Sequence, residues 1–296
     1  LISSVPSTKK PLVFLDSLDP FYVTQTLAKI TPNQTAFIII SKSGNTHETN
    51  TLLEYLIHNK YLEYNNLFVL SSKENSVTYN MTRGIPYGWI NYPETVSGRF
   101  SLLEVPFLTI AGALGVNPKF FIEKNDKKLE DSIEFMVNRW LKNYNEGRKI
   151  WVIINYNKQL EGLFLWIRQI VGESLGKNGF GITPIIAEGS MDEHSQLQLF
   201  LDGPNDKFYD IISSEYTDAN YALAIAQNDH ATMTAKMLND KGRDVVHSHH
   251  DSVSEELIAR YIELYKGLVI KIAENIGLNP FSQPAVENIK QKSNEV

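Results

Sequence analysis

The sequence predicts a doubly wound α/β fold built on mainly parallel sheets. Short apolar runs recur along the chain and alternate with longer segments of helical periodicity. The runs are rich in β-branched and aromatic residues and are too short to be helices. Because their apolar residues are continuous and do not alternate with polar ones, they are typical of strands covered on both faces. The predicted strands are residues 12–15, 36–41, 66–72, 149–156 and 183–188.

Three other segments have the apolar spacing of amphipathic helices. In the first of them Leu52, Leu53 and Leu56 share one face. The last has Gly277 at its end, where a glycine commonly terminates a helix. The three predicted helices are residues 47–59, 160–176 and 253–277.

Composition excludes several classes of function. The chain has 296 residues, enough for one large or two ordinary domains, and its net charge of −6 argues against nucleic-acid binding. The absence of cysteine excludes disulfides, thiolate catalysis and cysteine zinc sites. No window approaches the roughly 18 apolar residues of a membrane span, and the N-terminal residues lack a signal-peptide pattern. We therefore expect a cytoplasmic protein with neither a nucleic-acid nor a membrane partner.

Residues 41–46, with the sequence SKSGNT, follow the second apolar run and precede the first predicted helix. A loop between the carboxyl end of a parallel strand and a helix is where α/β sheets bind ligands. The helix N-terminus offers free amides, Ser41, Ser43 and Thr46 add hydroxyls, and Lys42 adds positive charge. The spacing matches neither a Walker loop nor a dinucleotide fingerprint. The loop predicts a phosphate site, with a capped helix after a polar loop as the structural alternative.

Four segments resemble motifs of the phosphoglucose isomerase family in its bacterial form. They occur in the family's order and extend over most of the chain, which makes the resemblance specific. It implies two sugar-isomerase (SIS-like) subdomains. The charged, proline-containing stretch of residues 114–135 places their boundary near residue 130, which gives residues 1–130 and 131–296. The four segments are SKSGNTHET (41–49), SGRFSLL (97–103), GESLGKNGFGITP with EHSQLQLFLDGPNDKF (172–208) and NPFSQPAVENIK (279–290).

The chain departs from the family pattern at several positions. Ser97 replaces a glycine, and Glu193 stands where a glutamine usually precedes the histidine. Ser282 and Ala285 replace the aspartate and glycine of the last motif, and Asn45 stands where a threonine is common. The family's upstream Gly-Gly-Ser loop has no counterpart here. We therefore expect a first subdomain that lacks its N-terminal part.

The resemblance implies an aldose–ketose isomerase that interconverts glucose 6-phosphate and fructose 6-phosphate without a metal or cofactor. Glu173 is the expected base that moves a proton between C1 and C2 through a cis-enediol. Arg99 is expected to stabilise the enediolate, because a guanidinium stays charged. His194 and Lys290 are expected to assist ring opening, and Gln283 to contact the substrate.

The resemblance also implies a homodimer, because in the family the histidine matched by His194 reaches the active site of the neighbouring subunit. Structural alternatives accompany these roles. His194 is also placed to cap a helix that begins near Asp192, and Arg99 to form an ordinary salt bridge. Glu48 is placed to act as a capping-box partner three residues after Asn45.

Two further alternatives stay open. A non-catalytic sugar-phosphate sensor would keep the phosphate loop but would not need Glu173, Arg99, His194 and Lys290 together; an inactive fragment of the isomerase is the other. The sequence does not decide whether mannose 6-phosphate is also accepted.

The histidine-rich residues 247–250 have a spacing that metal sites use, but no clear set of carboxylates frames them, so we predict a solvated loop there.

Overall fold

Parallel β-sheets form the centre of each of the two units into which the chain divides. The computed structural model describes residues 11–63, 65–72, 74–121, 126–215 and 221–286. Within these, one unit comprises residues 11–113 with 284–286, and the other comprises residues 114–283. This division falls earlier in the chain than residue 130, the predicted boundary between the SIS-like subdomains, and the assignment of those subdomains stays a prediction.

The first unit contains a parallel sheet with the strand order β1-β2-β3. Its strands are β1 (Phe37–Ile40), β2 (Leu67–Ser71) and β3 (Tyr87–Asn91). Its helices are α1 (Pro20–Leu27), α2 (His47–His58), α3 (Val77–Thr82) and α4 (Val105–Ala113). Helix α2 turns Leu53 and Leu56 into a core formed with β1 and β2, as its apolar spacing predicts.

The second unit contains a parallel sheet with the strand order β5-β4-β6-β7. Its strands are β4 (Ile150–Asn155), β5 (Thr183–Glu188), β6 (Lys207–Ser214) and β7 (Asp244–His250). Its helices are α5 (Lys127–Asn145), α6 (Glu161–Leu175), α7 (Gly189–Ser195), α8 (Leu197–Asp202), α9 (Tyr221–Asp240) and α10 (Glu255–Asn275). Gly277 follows α10 with a positive φ of 70°, the conformation that ends many helices.

The predicted fold class is confirmed, because both sheets are parallel and alternate with helices. Four of the five apolar runs contain strands, but residues 12–15 do not, and that prediction is wrong. Val13 is 54% exposed and Phe14 is 46% exposed, so this run lacks the cover that a parallel strand receives on both faces.

Three strands were missed because polar residues interrupt their apolar pattern or replace it. Strand β6 is buried along its whole length, although it contains Lys207 and Asp210. Strand β7 ends in three histidines within four residues, and β3 contains Gly88. The continuous apolar run that identifies a buried strand is therefore absent from each of them.

A buried ion pair allows Asp210 to lie inside the second unit. The guanidinium of Arg139, on α5, donates to Asp210, to the Asp244 carboxylate at 2.5 Å and to the Tyr209 carbonyl oxygen at 2.9 Å. The indole nitrogen of Trp151 donates to the other oxygen of Asp210 at 2.8 Å. Because the side chains of Arg139 and Asp210 are each only 7% exposed, each charge depends on its partner for solvation.

We predict that Arg139→Met lowers the free energy of unfolding by about 3–5 kcal/mol, because it leaves the carboxylate of Asp210 buried without its cation. Urea unfolding followed by tryptophan fluorescence measures this change. The matched control is Arg260→Met, which removes an exposed ion pair to Asp126 at 3.3 Å and should cost far less, because solvent screens exposed charges. Equal losses in the two variants would contradict the prediction.

Candidate active site

The loop of residues 41–46 is a tight turn between β1 and α2. The Gly44 amide donates to the carbonyl oxygen and to the hydroxyl of Ser41, both at 3.1 Å. Gly44 has a positive φ of 64°, and a side chain there would overlap the side chain of Ser76, the residue that caps α3. The turn therefore requires glycine at this position for both its conformation and its packing.

The hydroxyls of the loop divide into one that is buried and two that are more accessible. Ser41 is buried, and its hydroxyl lies 2.9 Å from that of Thr46. Thr46 is the N-cap residue of α2, but its side chain makes no capping hydrogen bond to the helix. Ser43 is exposed. The amides in the first turn of α2 thus lie beside two hydroxyls and are not capped by Thr46, an arrangement suited to an anion.

The predicted capping box between Asn45 and Glu48 is wrong. Helix α2 begins at His47 with Thr46 as its N-cap, so Glu48 lies in the first turn and not three residues after the cap. The Asn45 side chain instead accepts a hydrogen bond from the Val77 amide at 3.0 Å. Asn45 therefore joins the loop to the start of α3.

Lys42 joins the loop to the segment that precedes Arg99. Its ammonium donates to the carbonyl oxygens of Glu94 and Val96, both at 2.7 Å. Arg99 lies three residues further on, in a short 3₁₀ helix, where it is buried and its guanidinium stands 5.7 Å from the centre of the Phe100 ring. The first two motif segments are therefore physically connected within one unit.

Glu173 lies in the last turn of α6, as predicted, and accepts a hydrogen bond from Gln169 at 3.0 Å. The turn after this helix contacts the segment that carries Gln283. The Lys177 ammonium donates to the Asn279 carbonyl oxygen at 2.5 Å. The structure therefore brings the helix of Glu173 and the beginning of the last motif together at one end of the second unit.

His194 lies at the other end of the same sheet. It is exposed and belongs to α7, and its side chain makes no hydrogen bond with the part of the chain that the structure describes. Helix α7 begins at Gly189, so the alternative in which His194 caps a helix starting near Asp192 is wrong. Lys290 lies outside the described residues.

The histidine-rich residues 247–250 belong to strand β7, so the prediction of a solvated loop is wrong. His247 and His249 each lie 2.9 Å from the hydroxyl of Ser213 on β6, and His250 lies 2.8 Å from the hydroxyl of Tyr261. Across the described ranges, no three or more His, Cys, Asp or Glu side chains are arranged to hold a metal ion. Pairing with β6 holds these histidines in place.

The comparison with known proteins decides the family. A glucose-6-phosphate isomerase of Methanocaldococcus jannaschii is 31% identical to this chain over 313 residues, which cover 94% of this chain and 75% of the relative. The chain belongs to the glucose-6-phosphate isomerase family. No family model matches it.

Solved structures share the fold of this family member. A hypothetical protein from Thermus thermophilus has a TM-score of 0.81 at 21% identity, covering 99% of this chain and 79% of that one. A glucose-6-phosphate isomerase from Chlamydia trachomatis has a TM-score of 0.73 at 17% identity, covering 99% of this chain and 65% of that one. At these identities the likeness supports the fold alone. Among the described residues of our chain, no helix has the length and apolar character to cross a membrane.

Sequence reasoning missed two residues that organise the motifs of this family member. Lys177 belongs to the Glu-Ser-x-Gly-Lys motif, but its contact with Asn279 joins positions that are far apart in the chain. Glu193 was noted only as a departure from the family pattern, yet it is the centre of a hydrogen-bond network. A carboxylate in place of the family's usual amide was the available sign that a donor lies nearby.

Two histidines of β7 make stability depend on pH. Burial, and then the nearby His249, lower the pKa of His247 and of His250. Their pKa values in the folded chain therefore lie below the ordinary value of about 6.5, and the unfolded chain takes up protons first as the pH falls. We predict that this contribution to stability is complete above about pH 6.5 and is lost as the pH falls toward the folded pKa values.

Urea unfolding at about pH 7.5 and pH 5.5 measures this effect. The double variant His247→Gln/His250→Gln should lose less stability between the two pH values than the unmodified chain does. Ser248→Ala, a non-titrating change in the same strand, should keep the original difference. The same pH dependence in the double variant and the unmodified chain would contradict the assignment.

Proposed function

We propose that this chain interconverts glucose 6-phosphate and fructose 6-phosphate as an aldose–ketose isomerase. The family relation to the isomerase of M. jannaschii is the observation that carries this proposal. The predicted phosphate loop, Arg99, Glu173 and His194 all occur in ordered elements, which supports it. The proposed pathway roles are glycolysis and gluconeogenesis, in the cytoplasm.

The substrate phosphate is proposed to bind at the N-terminus of α2. Its oxygens would accept hydrogen bonds from the first-turn amides and from the hydroxyls of Ser43 and Thr46. Ser41 and Lys42 would act through the loop, because one hydroxyl holds the turn and the ammonium holds the neighbouring segment. An ammonium has three N–H donors, so Lys42 retains positive charge and one donor for the phosphate.

The isomerisation itself requires one base and one stabilised oxyanion. The Glu173 carboxylate would remove the proton from C2 of the open aldose, which gives a cis-enediolate, and would return a proton to C1 to form the ketose. Arg99 would stabilise the negative oxygen during this transfer, because its guanidinium cannot lose its charge. The reaction is redox-neutral overall, since the hydrogen removed from one carbon is replaced on its neighbour.

Ring opening must precede this proton transfer. His194 would donate a proton to the ring oxygen as its bond to the anomeric carbon breaks, while the hydroxyl on that carbon passes its proton to water. An imidazole suits both directions because its ring nitrogens can donate or accept a proton. Lys290 is proposed to assist this step, and Gln283 is proposed to contact the substrate. These two roles rest on the family motif.

The topology of the second unit supports a site shared between two subunits. Strands β4 and β5 are parallel, so α6, which connects them, runs back toward the amino ends of the strands. Glu173, in its last turn, therefore lies at these amino ends. His194 follows β5 and lies at the carboxyl ends of the strands. Strand β5 has six residues, so its two ends lie roughly 20 Å apart. This separation supports a site to which Glu173 and His194 are contributed by different chains.

Exposed apolar side chains accompany His194 on neighbouring helices, which further supports a homodimer. Helices α7, α8 and α9 contact one another in the second unit. Large apolar side chains left exposed on them are typical of surfaces that bind another protein. These exposed side chains are Met191, Leu199, Leu223, Ile225, Met233 and Met237.

We predict that Glu173→Gln lowers the rate of fructose 6-phosphate isomerisation by roughly 10²–10⁴-fold, because the amide cannot accept the proton from carbon. A coupled assay for glucose 6-phosphate measures the rate, and calorimetry measures binding of the sugar phosphate, which should be retained. Glu161→Gln, at the exposed start of the same helix, is the matched control and should keep the original rate.

Two outcomes would contradict this assignment. Undiminished turnover by Glu173→Gln would exclude Glu173 as the base. Binding of the sugar phosphate without turnover by the unmodified chain would instead favour the non-catalytic sensor. Parallel assays with mannose 6-phosphate show whether the site also accepts the epimer at C2.

We predict that mixing His194→Ala chains with Glu173→Gln chains restores activity. After random exchange half of the dimers are hybrids, and each hybrid contains one site with both original residues, so about a quarter of the original activity should return. Neither variant alone should show this activity. An absence of recovery, after subunit exchange has been demonstrated with differently tagged chains, would refute the shared site.

A further inference from the structure

Glu193 lies beside His194 in the sequence but has an opposite environment. Its side chain is 13% exposed, whereas His194 is exposed. Neighbouring residues of an α-helix point about 100° apart, so α7 can turn one of them inward and the other outward. The inward direction of Glu193 therefore determines the outward direction of His194.

Three donors from other elements hold the Glu193 carboxylate. The hydroxyl of Tyr156, just after β4, donates to one oxygen, and the hydroxyl of Thr234 on α9 donates to the same oxygen at 3.2 Å. Nδ1 of His230, one helical turn before Thr234, lies 2.7 Å from the other oxygen. Because an ionised carboxylate only accepts hydrogen bonds, His230 must carry its hydrogen on Nδ1 in this contact.

Tyr156 is itself fixed, which makes it a firm support for Glu193. Burial, and then the hydrogen bond to Glu193, raise the pKa of Tyr156, so its phenol keeps the hydrogen that it donates. Gln227 of α9 donates to the Tyr156 carbonyl oxygen. The Tyr156 ring also lies against the start of α7, since a side chain at Gly189 would approach the ring to 2.5 Å.

Helix α7 needs such a support because it is too short to be stable alone. It has seven residues, and isolated helices of this length do not persist in water. Glu188, its N-cap residue, makes no side-chain capping bond, and the Asp192 carboxylate accepts local hydrogen bonds from the Glu188 amide and the Ser195 hydroxyl. The bonds of Glu193 to Tyr156, His230 and Thr234 therefore help to fix the rotation of α7 relative to β4 and α9.

We infer that Glu193, held by Tyr156, His230 and Thr234, is a positioning residue that aims His194 for ring opening. This inference rests on the proposed function for its kinetic consequence, but the orientation of His194 is a property of the chain in any case. The carboxylate in place of the family's usual glutamine is matched here by His230, whose imidazole supplies the third donor.

A double-mutant cycle separates positioning from a general structural role. Glu193→Ala should lower kcat for fructose 6-phosphate isomerisation by roughly 10- to 100-fold, because small displacements of a catalytic group cost about this much. KM should change little, since the proposed phosphate site is on another unit. In a His194→Ala background, the same change should alter kcat by less than about two-fold, because the group being aimed is already absent.

Conservative and control variants make the cycle specific. Glu193→Gln keeps an acceptor for Tyr156 and Thr234 and should recover most of the activity that Glu193→Ala loses. Asp202→Asn removes the carboxylate charge from the 2.6 Å ion pair with Lys241, which joins α8 to the residue after α9, and should leave kcat unchanged. An equal loss from Glu193→Ala in both backgrounds, or no loss in either, would overturn the inference.

The orientation of His194 is also measured without activity, so failure of the proposed function does not remove the test. Histidine ring C–H resonances are recorded by NMR, and that of His194 is identified by its loss in His194→Ala. Glu193→Ala should shift or broaden this resonance, whereas Asp202→Asn should not. An unchanged His194 resonance in Glu193→Ala would overturn the inference even if turnover fell, whereas an inactive unmodified chain would contradict the proposed function alone.

Discussion

The parallel connection from β4 through α6 to β5 is the constraint on which the arrangement of the candidate site depends. Because both strands run in the same direction, α6 must run antiparallel to them, and the residues at its C-terminus lie at the amino ends of the strands. Helix α10 runs back in the same way after β7, so the beginning of the last motif also lies at the amino ends of the strands. The contact between Lys177 and Asn279 agrees with this. The motif that contains His194 follows β5 and lies at the carboxyl ends of the strands. The motifs therefore lie at two opposite ends of the strands of one sheet.

How much of this the sequence predicts depends on whether the information is local. The apolar runs at β1, β2, β4 and β5 are continuous, and their strands were predicted from pattern alone. Strand β6 was missed because Asp210 breaks its pattern, and only the fold reveals that Arg139 and Trp151 accommodate the charge of Asp210. Likewise, the prediction that residues 41–46 bind phosphate uses only neighbouring residues. The network of Glu193 was not predicted, because its donors are 37 and more positions away in the chain.

Two lysines in the family motifs show why a residue's charge is an incomplete guide to its role. Read in sequence, Lys42 supplies positive charge to an anion site. In the structure its ammonium also donates to two backbone carbonyls, and Lys177 does the same to a third. Hydrogen bonds from a charged donor are stronger than those from a neutral one, so one lysine can fix the distance between two loops. These lysines therefore help to place the motif segments in addition to any contact with substrate.

The contrast between Glu193 and His194 shows how the exposed His194 would be oriented for the proposed shared site. A long-lived orientation at a surface normally requires a partner, and His194 has none among the described residues. Its direction is instead set from below, through the inward-facing carboxylate of the preceding residue. If a second subunit meets a histidine that is already oriented, less conformational freedom is lost when the shared site forms. A partly buried carboxylate with three donors is suited to this, because it cannot rotate without losing the hydrogen bonds from the buried hydroxyls of Tyr156 and Thr234. The precision of the proposed ring-opening group therefore comes from the polar contacts beneath α7, which exist in each chain before any partner binds.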